Sequence, residues 1–254
     1  MRKVKLLLLG MEQINLDKIL TIYGRNPILE ALLDKTLKIY KLHLSTSNRD
    51  TPQLDKIVKL AKKRDIEIAY HSKKSLSYIS KNSKQDQGVA LDIIMKDFLT
   101  EEEFIKKYSS YRLLALDGIS NPQNLGMIIR SATAGNIDAI ILPTKKSAQI
   151  SPLVIKSSVG TIFKLPIIKT SSLLTTLKRF KKNNTYIYTL SSYAKNSYID
   201  EVYSNRTIFI LGNETIGVSK EIEKISDKSI SIPMRRGVES LNVAVTASLL
   251  AFIC

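Results

Sequence analysis

Residues 232–252 read Ile232-Pro-Met-Arg-Arg-Gly-Val-Glu-Ser-Leu-Asn-Val-Ala-Val-Thr-Ala-Ser-Leu-Leu-Ala-Phe252. The stretch closes an apolar run, Ile230 to Ile232, crosses a basic turn from Met234 to Gly237, and continues as a helix expected over 240–253. Leu241, Ala244, Val245, Ser248, Leu249 and Phe252 recur at the three-and-four spacing that puts side chains on one helical face. Ser240 stands where an N-cap belongs, its hydroxyl placed to accept from the first free N–H groups. Ala244, Ala247, Ser248 and Ala251 are small enough to let another backbone approach closely. Glu239, Ser240 and Asn242 crowd the helix mouth directly after Arg235, Arg236 and Gly237, where free N–H groups and a partial positive charge suit an anion or polar ligand. Alone, this is a capped C-terminal helix behind a basic loop. Two upstream stretches carry the same signature.

The first is Leu116-Asp-Gly-Ile-Ser-Asn-Pro-Gln-Asn-Leu-Gly-Met-Ile-Ile-Arg130, a strand end, an Asn/Pro/Gly loop and a helix expected from Asn124. In open α/β sheets, sites form past the carboxyl ends of strands, as here. Arg130 has apolar neighbours Ile128, Ile129 and Ala132, an uncomfortable setting for an idle arginine, although a surface ion pair would explain it equally. The second is Ile208-Phe-Ile-Leu-Gly-Asn-Glu-Thr-Ile-Gly-Val-Ser219, an apolar strand running into Gly212-Asn213-Glu214 with a second glycine at 217. Glycine at a strand end lets a ligand touch backbone.

Around these, strands are expected at 112–116, 139–142, 186–190, 207–211 and 229–232, and helices at 124–135, 151–156, 171–182, 219–226 and 240–253. Strands separated by helices imply a mostly parallel sheet covered on both faces. An earlier, smaller alternation occupies 21–95. It has a helix capped by Asn26 with Pro27 at its first position, a strand at 38–45 and a helix at 52–64. A strand at 66–70, a short helix after Ser72 and a strand at 89–94 follow. Residues 1–20 are expected to be a tail, and the charged segment 96–110 a linker with a short helix before the domain at 111–254.

The chain has 254 residues and a net charge of +16, with an ordinary hydrophobic content of 44%. Lys and Arg exceed Asp and Glu in both halves, so the partner this charge implies is a polyanion, most naturally nucleic acid. A proteome rich in Lys, Asn and Ile would share part of that excess. The lysines of the first domain (Lys56, Lys59, Lys62, Lys63, Lys73, Lys74) suit RNA backbone contact, though any one of them is more simply a solvated helix face. The single cysteine, Cys254, excludes an intramolecular disulfide and a cysteine-based zinc site. It fits a reducing compartment. No metal site is expected. His43 and His71 read as surface positions. Leu6–Leu9 is too short for a signal-peptide core, and no membrane span is seen, so a cytoplasmic location is expected. Among ten glycines no Gly-x-Gly occurs, which excludes the dinucleotide fingerprint and the P-loop.

Asn121-Pro-x-Asn-Leu-Gly…Arg130, Leu211-Gly-Asn-Glu-x-x-Gly217 and Ile232-Pro-Met…Glu-Ser-Leu-Asn-Val243 resemble, in order and spacing, the three motifs of the SpoU-type (TrmH-like) RNA 2′-O-ribose methyltransferases. Ser157-Ser-Val-Gly160 is similar to a further small-residue segment of that family. The stretch from Tyr23-Gly-Arg-Asn to Gln87-Gly-Val-Ala resembles the ribosomal-protein-like RNA-binding domain of its rRNA members. One departure is local: Asp86 stands where the family often has histidine, which bears only on the first domain's surface. The resemblance implies an α/β fold, with a mostly parallel C-terminal sheet in a trefoil knot and a small N-terminal α/β RNA-binding domain. It also implies bound S-adenosylmethionine, a homodimer with shared active sites, and structured RNA as substrate. Cofactor contacts are implied at Leu190, Gly212, Ile232 and Leu241, and a catalytic centre at Asn124, Arg130, Glu214, Ser240 and Asn242. The activity implied is methylation of a guanosine ribose in large-subunit rRNA. A tRNA or antibiotic-resistance rRNA methylase, and a non-catalytic ribosome-assembly factor, are the alternatives.

Overall fold

The computed structural model describes residues 19–81, 84–95 and 98–253, so the sequence-based readings of Leu6–Leu9 and Cys254 lie outside the described residues. The chain divides into two compact units, Met1–Lys96 and Asp97–Cys254.

The first unit holds β1 (Ile19–Tyr23), α1 (Arg25–Leu33), β2 (Lys38–Ser45), α2 (Pro52–Lys63), β3 (Glu67–His71), α3 (Lys73–Ser80) and β4 (Val89–Ile94). Its sheet runs β1-β4-β2-β3, with β2 and β3 parallel and β4 antiparallel to both of its neighbours. Strand β1 thus reaches into the stretch expected to be a tail, with Leu20 and Ile22 alternating into the core. Thr51 caps α2 by accepting from the Leu54 N–H, and Pro52 follows at the first helical position. At the other end of that helix, Arg64 donates to the carbonyls of Leu32, Asp34 and Leu37 (2.6–3.0 Å), pinning the loop after α1. Asn26 does not cap α1. The helix starts one residue before it behind Gly24, and the Asn26 side chain accepts from Gln53 instead.

The second unit opens with β5 (Phe98–Leu99) and α4 (Glu101–Lys107), followed by β6 (Tyr111–Leu116), α5 (Pro122–Ala134), β7 (Ala139–Pro143), α6 (Pro152–Ser157) and β8 (Ile167–Thr170). Then come α7 (Leu173–Lys182), β9 (Tyr186–Leu190), β10 (Asn196–Ser197), β11 (Arg206–Leu211), α8 (Lys220–Glu223), β12 (Lys228–Ser231) and α9 (Val243–Ala251). Among the described residues the sheet has eight strands, ordered β10-β12-β9-β11-β6-β7-β8-β5, and every pairing is parallel. The unbroken burial of Leu113–Leu116 and Thr207–Leu211 is what a strand covered on both faces requires.

Residues 98–110, expected to lie in a linker, are instead part of this unit. Phe98 pairs with Ile167, and a capping box between Thr100 and Glu103 starts α4. Phe104 is fully buried, edge-on to Tyr111 and Phe180. Acidic residues in its first turn and lysines in its last complement the helix dipole, and that same charge is what made the segment look solvated. Among the described residues no helix is long and apolar enough to cross a membrane.

Candidate active site

Chain order sends β6 to β7 and β8 on one side of the sheet, while β11 leads to β12 on the other. The adjacent pair β6–β11 is therefore a switch point, and beyond the carboxyl ends of such a pair is where open α/β sheets place their ligand crevices. Leu116 pairs with Leu211, so the two motif loops leave the sheet side by side. They are stapled together. The Asp117 N–H donates to the Leu211 carbonyl (2.8 Å), the Asp117 carboxylate accepts from the Ser219 N–H (2.8 Å), and the Asn213 amide donates to the Gly118 carbonyl (2.9 Å).

Asn213 and Gly217 exchange backbone hydrogen bonds at 3.0 and 2.9 Å, folding Gly212-Asn-Glu-Thr-Ile-Gly217 into a tight hairpin. A Cβ on Gly212 would stand 2.2 Å from the Gly217 carbonyl carbon and 2.3 Å from the Val218 nitrogen. The missing side chain at Gly212 thus makes room for the returning strand of its own hairpin. Asp117 and Asn213, which carry this staple, were quoted in the motifs without a role. An Asx residue beside glycine was the available signal.

Asn121 caps α5, accepting from the N–H groups of Gln123 (2.8 Å) and Asn124 (3.4 Å), with Pro122 at the first position. Asn124 is consequently held in the first turn at 4% exposure. Its amide nitrogen donates to the Glu214 carboxylate, and its amide oxygen accepts from Asn242 at 3.3 Å. One residue from each motif meets in this chain of hydrogen bonds.

Ser240 does not cap the last helix. Asn242 does, its side chain accepting from the Ala244 N–H at 2.8 Å, and α9 begins at Val243. Val243, Ala244, Ala247, Leu250 and Ala251 are buried, while Val245 and Phe252 are exposed. Of the six residues expected to share a face only Ala244 is buried, whereas Ala247 and Ala251, read from sequence as small enough to admit another backbone, are buried with it. The reason is steric: α9 lies on α5, and the small side chains are those that let the two backbones approach. The Asn136 N–H donates to the Ala251 carbonyl at 2.6 Å, and the Ser131 and Ser248 hydroxyls meet at 2.7 Å.

The remaining expected residues divide. Leu190, Gly212 and Ile232 lie at the carboxyl ends of β9, β11 and β12, three neighbouring strands, and Leu190 pairs with Ile230. Leu241, partly buried, immediately precedes Asn242. Arg130 lies on α5 beyond the Asn124 cluster, exposed, with no ion pair or hydrogen bond among the described residues. Glu214 accepts from Asn124. Ser240 is exposed in the loop before α9.

The first unit corrects two further readings. His43 is buried, not a surface residue. Its ring nitrogens meet His71 (3.0 Å) and Asp92 (3.2 Å), and Asp92 also accepts from Thr21 at 2.6 Å. Asp86 is buried as well, accepting from the Ser80 hydroxyl and the Gly88 N–H at 2.9 Å each, so its replacement of histidine is an internal matter.

A parallel α/β sheet with Asn, Glu and Asn gathered at its switch point, beside apolar residues at neighbouring strand ends, defines an enzyme-like crevice. The description "SpoU rRNA Methylase family" matches residues 111–252, and "RNA 2'-O ribose methyltransferase substrate binding" matches residues 21–99. The chain belongs to the SpoU family of RNA methyltransferases. It is 29% identical over 239 residues to a Staphylococcus epidermidis protein named as a TrmH family tRNA/rRNA methyltransferase, covering 92% of this chain and 94% of that one. A Bacillus subtilis protein of the same family name, YacO, is 27% identical over 235 residues, covering 91% and 93%. The fold is that of the SpoU methyltransferase AviRb from Streptomyces viridochromogenes, solved with AdoMet (TM-score 0.66, 20% identity, 93% and 89% covered). It is likewise that of an AdoMet-bound rRNA methyltransferase from Sinorhizobium meliloti (TM-score 0.62, 20% identity, 92% and 86% covered).

Proposed function

We propose that the protein transfers a methyl group from S-adenosylmethionine to a guanosine ribose 2′-hydroxyl in large-subunit rRNA, acting as a cytoplasmic homodimer. The observation that carries the chemistry is the hydrogen-bonded chain Glu214–Asn124–Asn242, which joins the three motifs at a sheet switch point. The donor set fits the cofactor. Gly212 and Ile232 stand one residue beyond the last ladder pairs of β11 and β12, so their backbone groups are outside the ladder. Leu190, Ile232 and Leu241 are partly buried apolar surfaces suited to an adenine.

S-adenosylmethionine, when bound, supplies a methyl group on a sulfonium. The chain's task is to place and ionise a weakly acidic hydroxyl in line with it. The motifs contain no histidine, and among their charged groups Glu214 is engaged by Asn124 while Arg130 has no partner among the described residues. A guanidinium, with a pKa above ~12, is a poor base. It is well suited to forking a phosphate through two hydrogen bonds. Arg130, free of partners among the described residues, is therefore assigned to the phosphate beside the target ribose. That contact orients the hydroxyl and favours its ionised form. Asn124 and Ser240 hold ribose or cofactor, and Glu214 positions Asn124.

The dimer is supported by apolar surface left uncovered on one unit. Val245, Leu249 and Phe252 of α9, with Tyr198, Ile199 and Ile253, line an open cavity of about 590 Å³. Contiguous apolar surface of this kind marks interfaces. The threading of the last helix through a loop belongs to the same proposal, supported by the close seating of α9 against α5.

Arg130→Lys keeps the charge and loses the fork. Under single-turnover conditions at saturating RNA its methyl-transfer rate should fall about a hundredfold, the scale of losing a positioning contact. Its S-adenosylmethionine affinity should be unchanged by calorimetry. Turnover near that of the unsubstituted protein overturns the clamp, and a large loss of cofactor affinity places Arg130 in the cofactor site instead.

A further inference from the structure

A second concavity lies in the first unit. Residues of β2, β3, α2 and the loop from Thr46 to Asp50 surround an open groove of about 550 Å³, within the usual size of small-ligand sites. Its apolar lining is Leu44, Leu54 and Val58, and Leu44 pairs in register with Tyr70 of the edge strand β3. Tyr70 is 64% exposed, and its side chain has no hydrogen-bond or ring partner among the described residues. Lys59 and Lys62, one turn apart on α2, line the same groove and make no ion pair there among the described residues. Two carboxylates, Asp50 and Asp55, complete the rim.

The wall opposite α2 is held rigidly. Gly88 accepts both the Ser45 N–H (2.9 Å) and the Asn48 side-chain amide (2.8 Å), and the Thr46 N–H donates to the His71 carbonyl (2.8 Å). Gly88 sits at φ +75°, and a Cβ there would stand 1.8 Å from the Asn48 amide oxygen. The Gln87-Gly88 motif thereby sets the groove's shape from behind.

An exposed aromatic ring on an apolar floor, flanked by two unpaired cations, is the chemistry that receives an unstacked nucleobase and its adjoining phosphates. Carboxylates are acceptors only, and guanine alone among the RNA bases offers two adjacent donors, N1–H and the 2-amino group, to a carboxylate. We propose that this groove binds one unpaired guanine of the RNA substrate, stacked on Tyr70, read by Asp50 and Asp55, with Lys59 and Lys62 on neighbouring phosphates. The proposal rests on the reading of the protein as an RNA-modifying enzyme and adds a specificity subsite to it.

The test uses the full chain and two short oligouridine RNAs, one carrying a single central guanosine, with affinities measured by fluorescence anisotropy. The unsubstituted protein should prefer the guanosine-containing strand. Tyr70→Ala should weaken it about tenfold or more, the scale of one stacking contact, while Tyr70→Phe keeps the affinity. Asp50→Ala with Asp55→Ala should equalise the two strands. Lys59→Ala with Lys62→Ala should lower the salt slope of log Kd by about 1.4, for two single-strand phosphates. Tyr70 is exposed, so its variants should melt as the parent does. Unchanged binding by Tyr70→Ala, or an equal loss in Tyr70→Phe, overturns the proposal. Calorimetry with S-adenosylmethionine on the same preparations separates the two readings: absent cofactor binding by the parent protein removes the enzymatic one and leaves the RNA result standing by itself.

Discussion

The two units use β-sheets in opposite ways. In the second unit every strand runs in the same direction, so all the carboxyl ends lie along one edge and three distant motifs can pool Asn124, Glu214 and Asn242 there. In the first unit β4 runs against its neighbours, which scatters strand ends between the two edges. Its polar residues gather on a sheet face, as His43, His71, Asp92 and Thr21, and in the groove flanking β3. Direction decides which kind of surface a small sheet can offer. A parallel sheet builds one crevice at its end, and a mixed sheet offers its flanks.

The largest expected effect tests whether the second unit needs the segment between the domains. Phe104 is fully buried against Tyr111, Phe180 and Tyr108. Phe104→Ala should cost about 3–5 kcal/mol by chemical denaturation. A chain begun at residue 97 should fold, and one begun at residue 111 should not give a cooperative melt. If both melt alike, the all-parallel sheet ends at β8 in energetic terms and β5–α4 is an accessory.

A smaller effect probes the crevice. Gly212→Ala drives a methyl group into the Gly217 and Val218 backbone, which has no rotamer to yield. We expect about 1–3 kcal/mol of destabilisation, together with loss of S-adenosylmethionine binding through distortion of the hairpin. Retained cofactor affinity would show that the hairpin is scaffolding without a part in the site.

The smallest effect lies in the first unit and is a matter of pH. Burial, aided by the charges of His43 and Lys41, holds the His71 imidazole below its ordinary value of 6.5. Burial pushes the Asp92 carboxyl up, but hydrogen bonds from His43 and Thr21, with the charges of His43 and Lys41, outweigh it and leave it below 3.8. Both groups release protons more readily when folded than unfolded. Their stabilisation is present above the ordinary pKa and lost as pH falls through the lowered one. Lys41, paired with Glu67 at 2.8 Å, also faces the cluster. Melting temperature should therefore decline on acidification from pH 7.5 to 5.5, and less so in His71→Gln, which keeps a donor for His43 without titrating. An equal decline in both would clear His71 of the effect.

Much of this was legible in the chain. Apolar runs at 113–116 and 208–211 announced strands because a strand buried on both faces has no polar side to show. The helix expected from about residue 52 starts there, and the one expected from Asn124 starts two residues earlier at Pro122, whereas the cap expected at Asn26 did not form. The strands β1, β5, β8 and β10 were missed: β5 and β10 have two residues and β8 four, too few for periodicity to register, and β1 straddles the boundary set for the tail. Ser240 was preferred to Asn242 as the cap since either residue can accept, and only the seating of α9 on α5 separates them.

By itself the sequence determined the α/β class, the motif residues and the family, since each depends on residue identity and short spacing. The tertiary structure alone decided that Glu214 answers to Asn124 and leaves Arg130 free, and that Asn242, which also reaches Asn124, caps α9 in place of Ser240. Those outcomes depend on which residues, ninety or more apart in the chain, arrive within hydrogen-bond distance, as Asn124 does with Glu214. Close packing settles that competition among neighbours, and no local pattern encodes it.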